Sequence, residues 1–300
     1  VEVTDLQTHL TVDHQRIADA AARTLAAEQI AEGSLSVVVV DNARIRELNA
    51  RYLGSDRETD VLSFDLADDE VLVQQMVQAG FDQVFVGIET PDDGSLTECL
   101  KKQNQGRNML ADVKRLQRQG LQVQGGFIVG FDGDSESVFQ RQINFIQGSG
   151  IVTAMVGILQ ALPGTRLYER MEREGRLQGQ ASGDNVDGTT NITPTMGLQA
   201  LQEGYRKLLR QIYSPAGFYS RLKTFLAEYR PQGRKPRPTF RDVQAFLRSV
   251  IRLGLLGRER LEYWKLMAWT TFRRPGLLPV AVTLAIYGHH FRRVCDLHIR

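Results

Sequence analysis

Three times between residues 68 and 159 the chain passes from a helix-patterned stretch, through a glycine, into a short apolar strand-like run. The helices are expected at 68–79, about 107–119 and 135–148, and the glycines are Gly80, Gly120 and Gly150. The strands follow at Val84–Ile88, Val123–Val129 and Val152–Leu159. Antiparallel neighbours need only a tight turn, whereas parallel neighbours need a crossover of about a dozen residues, usually a helix. The spacing therefore predicts parallel βα units and an α/β fold. In such folds ligands sit beyond the carboxyl ends of the strands.

The flanks differ. Val1–Leu6 alternates as a strand, Asp13 is a candidate N-cap for a helix to about Ala31, and Leu35–Val40 is a buried strand. Asp41 caps a further helix carrying Ile45, Leu48 and Tyr52, and Asp60–Leu66 is another strand. Beyond the βα units, residues 179–195 read as a long polar loop. From there the pattern is helical, near 196–213, 215–229, 239–255, 258–273 and 277–295, with a stiff basic linker at Arg230–Pro238.

Charge is uneven. Residues 1–70 carry six Lys/Arg against fifteen Asp/Glu, while from Gly204 onward twenty basic residues face five acidic ones. A basic carboxyl-terminal third attracts polyanions, so an anionic membrane surface or RNA is the expected partner, against a plain solvated surface. Trp264, Trp269, Phe272 and the apolar run Leu277–Ile286 lie among its arginines, which suits a helix resting in a lipid interface. That run is too short to span a bilayer. Two cysteines, Cys99 and Cys295, make a disulfide framework unlikely to be needed and suit a reducing cytoplasm, and Val1–Asp5 does not read as a signal peptide. The expected location is the cytoplasm or the periphery of a membrane.

Leu48–Asp65, LNARYLGSDRETDVLSFD, resembles the front of YbeY-type ribosomal-RNA maturation factors in Leu48, Asn49, Asp56, Thr59, Asp60, Val61, Leu62, Ser63 and Phe64. It departs at Leu53 and Glu58, where the family has Arg and Pro. The resemblance implies a zinc-dependent endoribonuclease whose metal is held by histidines spaced H-x3-H-x5-H. The five histidines here, His9, His14, His289, His290 and His298, do not have that spacing. No metal ligand is assigned.

Gly87-Ile88-Glu89-Thr90-Pro91, Gly126-Phe127-Ile128-Val129-Gly130 and Ala161-Leu162-Pro163-Gly164-Thr165 resemble, in order, three motifs of cobalamin-binding radical S-adenosylmethionine proteins of the hopanoid-methylase kind. The resemblance implies the later part of a partial parallel βα barrel followed by an all-helical region. It implies S-adenosylmethionine held by Glu89, Thr90, Gly126, Phe127, Ile128, Val129, Gly130 and Pro163. It also implies a [4Fe–4S] cluster on three cysteines and a cobalamin. Cys99 and Cys295 cannot make a three-thiolate site, so the cofactors' principal ligands are absent and catalytic residues stay unassigned.

The organisation expected is a YbeY-like fragment at 1–67, the later half of a radical S-adenosylmethionine barrel at 68–178, and a basic helical region at 179–300. The function expected is a radical S-adenosylmethionine protein by descent, inactive for want of its cysteines. The alternatives are a YbeY-like nuclease fragment without its zinc histidines, and a non-enzymatic fused reading frame. An unpaired sheet edge at Val84–Ile88 is expected as well.

Overall fold

The computed structural model describes residues 2–5, 13–27, 36–39, 41, 43–44, 46–47, 50, 70–78, 81–99, 101, 104–183, 187–232 and 240–298. The chain divides into two compact units, Val1–Asp65 and Leu66–Arg300.

In the first unit, β1 (Glu2–Asp5) and β2 (Ser36–Val39) pair in parallel, Glu2 opposite Ser36 and Asp5 opposite Val39. The crossover is α1 (His14–Ala27). Its start is fixed as the sequence suggests, Asp13 Oδ1 accepting from Arg16 N at 2.9 Å. Asp41 does the same for Arg44 N at 2.8 Å. The YbeY-like stretch 48–65, except Ala50, lies outside the described residues, as does the strand expected at Asp60–Leu66.

The second unit opens with α2 (Glu70–Gln78) and contains one parallel sheet, in the order β3 (Gln83–Glu89), β4 (Gln122–Val129) and β5 (Ala154–Ile158). The crossovers are α3 (Asp93–Glu98) with α4 (Met109–Arg118), and then α5 (Ser137–Ser149). Gly150 ends α5 with φ 74°. A Cβ there would fall 2.9 Å from Phe225 N, so this position requires glycine on two counts.

Alternation along the strands gives the sheet two unlike faces. Val84, Ile88, Val123, Phe127, Val129, Ala154 and Val156 are buried in one continuous apolar core with α4, α5, α7 (Leu198–Ile212) and α8 (Pro215–Glu228). Each such large side chain contributes roughly 1.5–3 kcal/mol by leaving water. On the other face Phe85 is 58% exposed and Met155 41%. β3 is an edge strand, pairing among the described residues with β4 alone.

The helical region is built onto this core. Tyr205 on α7 and Tyr213, which caps its carboxyl end, donate to the carbonyls of Val156 (3.1 Å) and Ala154 (2.7 Å). Arg221 on α8 is fully buried and donates to Ile212 O at 2.7 Å and Val152 O at 3.1 Å. Its guanidinium lies 5.6 Å from the Tyr213 ring and 5.2 Å from the Phe218 ring. Burial brings its pKa down to about 10, with the Tyr213 oxygen opposing. Beyond it come α9 (Phe240–Ser249), a π-helical segment (Val250–Leu255), α10 (Arg260–Arg273), a 3-10 turn (Pro275–Leu277) and α11 (Leu278–His298).

Three expectations are corrected. The stretch read as one helix over 239–255 changes to π winding at Val250. The sequence reading passed over the short α3 and α6 (Arg166–Arg173). The loop at 179–195 is tied down near its end, where Leu177 and Ile192 form an antiparallel bridge. The architecture is mixed α/β with a three-stranded parallel sheet and a helical carboxyl-terminal region. No described helix is long and apolar enough to cross a membrane.

Candidate functional site

The carboxyl ends of β3, β4 and β5 collect polar side chains from widely separated positions. β3 ends at Glu89, whose φ of 62° is the one positive value at a non-glycine among the described residues. Thr90 N donates to Ile88 O at 2.8 Å, so Glu89 sits at the centre of a γ-turn of the rarer, strained hand. The register of β3 on β4 slips at the same point, between Gly87 and Glu89. The turn throws the carboxylate back over Gly87, where a Cβ would lie 2.7 Å from Glu89 Oε1. Lys101 Nζ is 3.3 Å from that oxygen, and the two side chains are 28% and 17% exposed, Lys101 first. Thr90 is fully buried and accepts from Asp92 N at 3.3 Å, and Asp92 then caps α3 through Ser95 N at 3.1 Å.

Gly130, with φ 103°, ends β4 against Leu201. The turn after it is held by Asp134, whose Oδ2 accepts from Gly130 N (2.9 Å) and Phe131 N (3.1 Å). Ser95 Oγ donates to Asp134 Oδ1 at 2.8 Å. Burial pushes the Asp134 carboxyl above the usual carboxylate range, the three hydrogen bonds opposing. Gln142, fully buried on α5, ties two strand ends together. Its Nε2 donates to Ile128 O at 2.7 Å and Glu89 O at 3.5 Å, while its Oε1 is buried without a hydrogen-bond partner. At the end of β5, Asn191 pairs with both main-chain groups of Ala161 at 2.8 Å. Thr190 Oγ1 donates to Leu159 O at 2.6 Å.

The expected site residues separate into groups. Glu89 and Thr90 stand at the end of β3, Glu89 forward and Thr90 inward. Gly126 and Ile128 belong to the other face, where Ile128 packs with Phe131, Leu159 and Met171, and Gly126 is the cross-strand partner of Gly87. A Cβ on Gly126 would lie 2.9 Å from the Phe85 ring, so the glycine lets that ring lie against the main chain. Phe127 and Val129 face the helices and are buried at 2% and 0% exposure, so their side chains pack the core. Pro163 is exposed, in a turn that leads to Thr165, the N-cap of α6. Sequence reasoning missed Lys101, Asp134, Gln142 and Asn191. The acidic turn F-D-G-D after β4 was a usable signal for Asp134; Gln142 and Asn191 have no local pattern.

Among the described residues no three His, Cys, Asp or Glu side chains are grouped to hold a metal ion. Burial pushes the Cys99 thiol up, and its Sγ donates to Leu96 O at 3.5 Å. Burial takes Cys295 up to about 11. Neither thiol favours the thiolate that a metal needs. A cleft of about 700 Å3 opens in the helical layer, lined by Arg210, Tyr213, Glu259, His289 and Arg292. The Tyr213–Ala154 bond puts it toward the amino ends of the strands, away from Glu89. There Glu259, nearly fully buried, receives His289 Nδ1 at 2.8 Å and Arg292 Nη1 at 3.0 Å. Burial acts to raise its pKa, but the His289 hydrogen bond and the Arg292 charge outweigh this and hold it below the usual value.

Residues 2–90 match the Endoribonuclease YbeY family, and residues 165–300 match a domain of unknown function, DUF4070. An uncharacterized methyltransferase of Synechocystis sp. is 35% identical over 235 residues, which is 76% of this chain and 44% of that protein. The hopanoid C-2 methylase of Rhodopseudomonas palustris is 28% identical over 228 residues, 73% of this chain and 42% of its own. The endoribonuclease YbeY of Carboxydothermus hydrogenoformans is 44% identical over 72 residues, 23% of this chain and 50% of its own. The chain spans less than half the length of these two methyltransferases. It joins a YbeY-like amino-terminal segment to a longer segment similar to bacterial methyltransferases.

Proposed function

We propose that residues 66–300 are the S-adenosylmethionine-presenting part of a radical methyltransferase barrel of the cobalamin-binding kind, able to hold the nucleoside but not to cleave it. The observation that carries this is the part of the sheet face left exposed at Phe85 and Met155, beside the end that α6 covers at Ile128. Parallel sheets usually have both faces covered, so a face partly open among the described residues suits the inner wall of a βα barrel, which faces a ligand or further strands. On that side Gly87 and Gly126 carry no side chains, and the Glu89 carboxylate and the Phe85 ring lie over them. The exposed Phe85 ring suits a flat base stacked on it. The Glu89 carboxylate suits ribose hydroxyls or an ammonium group, and Lys101 suits a carboxylate. S-adenosylmethionine supplies the transferable methyl group when bound; the chain's own residues bind and orient it.

The same residues do not fit the other groups. An iron–sulfur cluster needs three thiolates, and the sequence has two cysteines, both with raised pKa. No cluster, cobalamin or zinc step is derived. Free thiols at Cys99 and Cys295 suit a reducing compartment, which we take to be the cytoplasm.

Equilibrium dialysis with labelled S-adenosylmethionine tests the reading. Saturable binding that Glu89→Gln weakens about tenfold, the usual scale for a lost charge-assisted hydrogen bond, is expected. Anaerobic treatment with iron, sulfide and dithionite should release no 5′-deoxyadenosine. Absence of binding, or release of deoxyadenosine, would overturn it.

A further inference from the structure

The helical region leaves one face of a long helix uncovered. Phe240, Val243, Leu247, Ile251 and Leu255 recur three or four residues apart through α9 and the π-helical segment, so they form a single row. Their exposures are 83%, 49%, 55%, 51% and 58%. The neighbours Leu256 and Leu261, at the turn into α10, are 78% and 69% exposed. Large aliphatic side chains in an unbroken exposed row are costly in water and mark a surface that something covers.

We propose that this row docks the protein on the surface of an anionic phospholipid bilayer. Charge selects this occupant. Arg248, Arg252, Arg258 and Arg260 are all exposed beside the row or in the turn that follows it. Phe240–Lys265 holds six basic and three acidic residues. Of the three acids, Glu259 is buried against His289 and Arg292, and Glu262 is paired with Lys265 at 2.6 Å. The outward charge is therefore positive, complementary to lipid phosphate. An apolar row flanked by arginines is the pattern of a helix lying in the headgroup layer, apolar side down. With no described helix able to span a bilayer, the contact is one of surface. RNA would use the arginines and the Phe240 ring but gains little from Val243, Leu247, Ile251 and Leu255, which make up the rest of the row and offer no ring for a base to stack on.

The test is co-sedimentation of the whole chain with phosphatidylcholine vesicles, with and without phosphatidylglycerol, at low salt. The chain should pellet with the anionic vesicles, about tenfold better than with neutral ones, and added salt should release it. The pair Leu247→Asp and Leu255→Asp should lower binding about tenfold or more. Both side chains are more than half exposed, so the fold should survive; Arg248→Glu with Arg252→Glu is an independent second variant expected to weaken binding likewise. No pelleting with anionic vesicles overturns the proposal. So does unchanged binding by the leucine variant, which would leave charge alone. An RNA gel shift lost in the arginine variant but kept in the leucine variant, without vesicle binding, transfers the face to RNA. Vesicle-independent dimers that the leucine variant dissolves transfer it to a second copy.

Discussion

The two faces of the three-stranded sheet are made by the same strands, residue by residue in alternation, yet they have opposite fates. Toward the helices, Phe127 is 2% exposed and Val129 fully buried, in a core that runs on into α11. Toward the open side, Phe85 is 58% exposed beside two facing glycines. The covered face is filled and its polar backbone contacts are met by Tyr205, Tyr213 and Arg221. The other face is open around Phe85 and Met155, is packed by α6 at Ile128, and gathers its polar groups at one end. Stability resides on one side of a single strand and ligand chemistry on the other, so substitutions one residue apart should report on different properties.

The largest contrast is between two phenylalanines. Phe127→Ala should cost about 3–5 kcal/mol by leaving a cavity. Phe85→Ala should change stability by less than about 0.5 kcal/mol, as surface substitutions do. Urea midpoints decide it, and an equal loss for both would mean that the open face is covered in solution. Next is Arg221→Met. It keeps most of the volume but abandons the carbonyls of Ile212 and Val152, which predicts a loss of about 2–3 kcal/mol in the same measurement.

Acid titration compares the two buried carboxyls. The Glu259 pKa is lowered on folding, so its contribution to stability is present above the unfolded value and is lost as pH falls through the folded one. Asp134 is raised, so its proton is held more tightly when folded, and its contribution falls as pH rises from the ordinary carboxylate value through the raised one. Chemical denaturation across acid pH should show Glu259→Gln removing the first slope and Asp134→Asn the second. The smallest effect concerns Glu89. Glycine there relieves the positive φ while forfeiting the Lys101 contact, so Glu89→Gly should stay within about 1 kcal/mol of the parent. Nucleoside binding by the same variant should fall sharply in dialysis, which would separate function from stability at one residue.

Much of this was legible in the sequence. Gly120 and Gly150 announced their strands because a positive φ after a helix is a local demand that only glycine meets cheaply, and their observed values are 103° and 74°. The helices of the basic region were bounded by Pro and Gly signals for similar local reasons. Which face of β4 would be covered was not legible. The run G-F-I-V shows no polar alternation, so Phe127 and Ile128 look alike until α5 and α7 are in place. The polar groups at the strand ends were hidden for another reason. Asp134, Gln142 and Asn191 act on main-chain groups of other elements, and such pairings leave no periodic trace in a single sequence.

The π-helical segment has a geometric consequence. In an ordinary α-helix, side chains four residues apart advance around the axis, and a row built on that interval slowly spirals away from any flat surface. The wider turn at Val250–Leu255 reverses that advance and brings Ile251 and Leu255 back toward the line set by Phe240 and Leu247. Removing one residue from this segment would restore ordinary winding. Leu255 would then keep nearly its present bearing, because a π turn is an α turn with one residue added; rewinding the undeleted segment as ordinary α-helix would instead swing Leu255 around the axis and out of the plane its predecessors share.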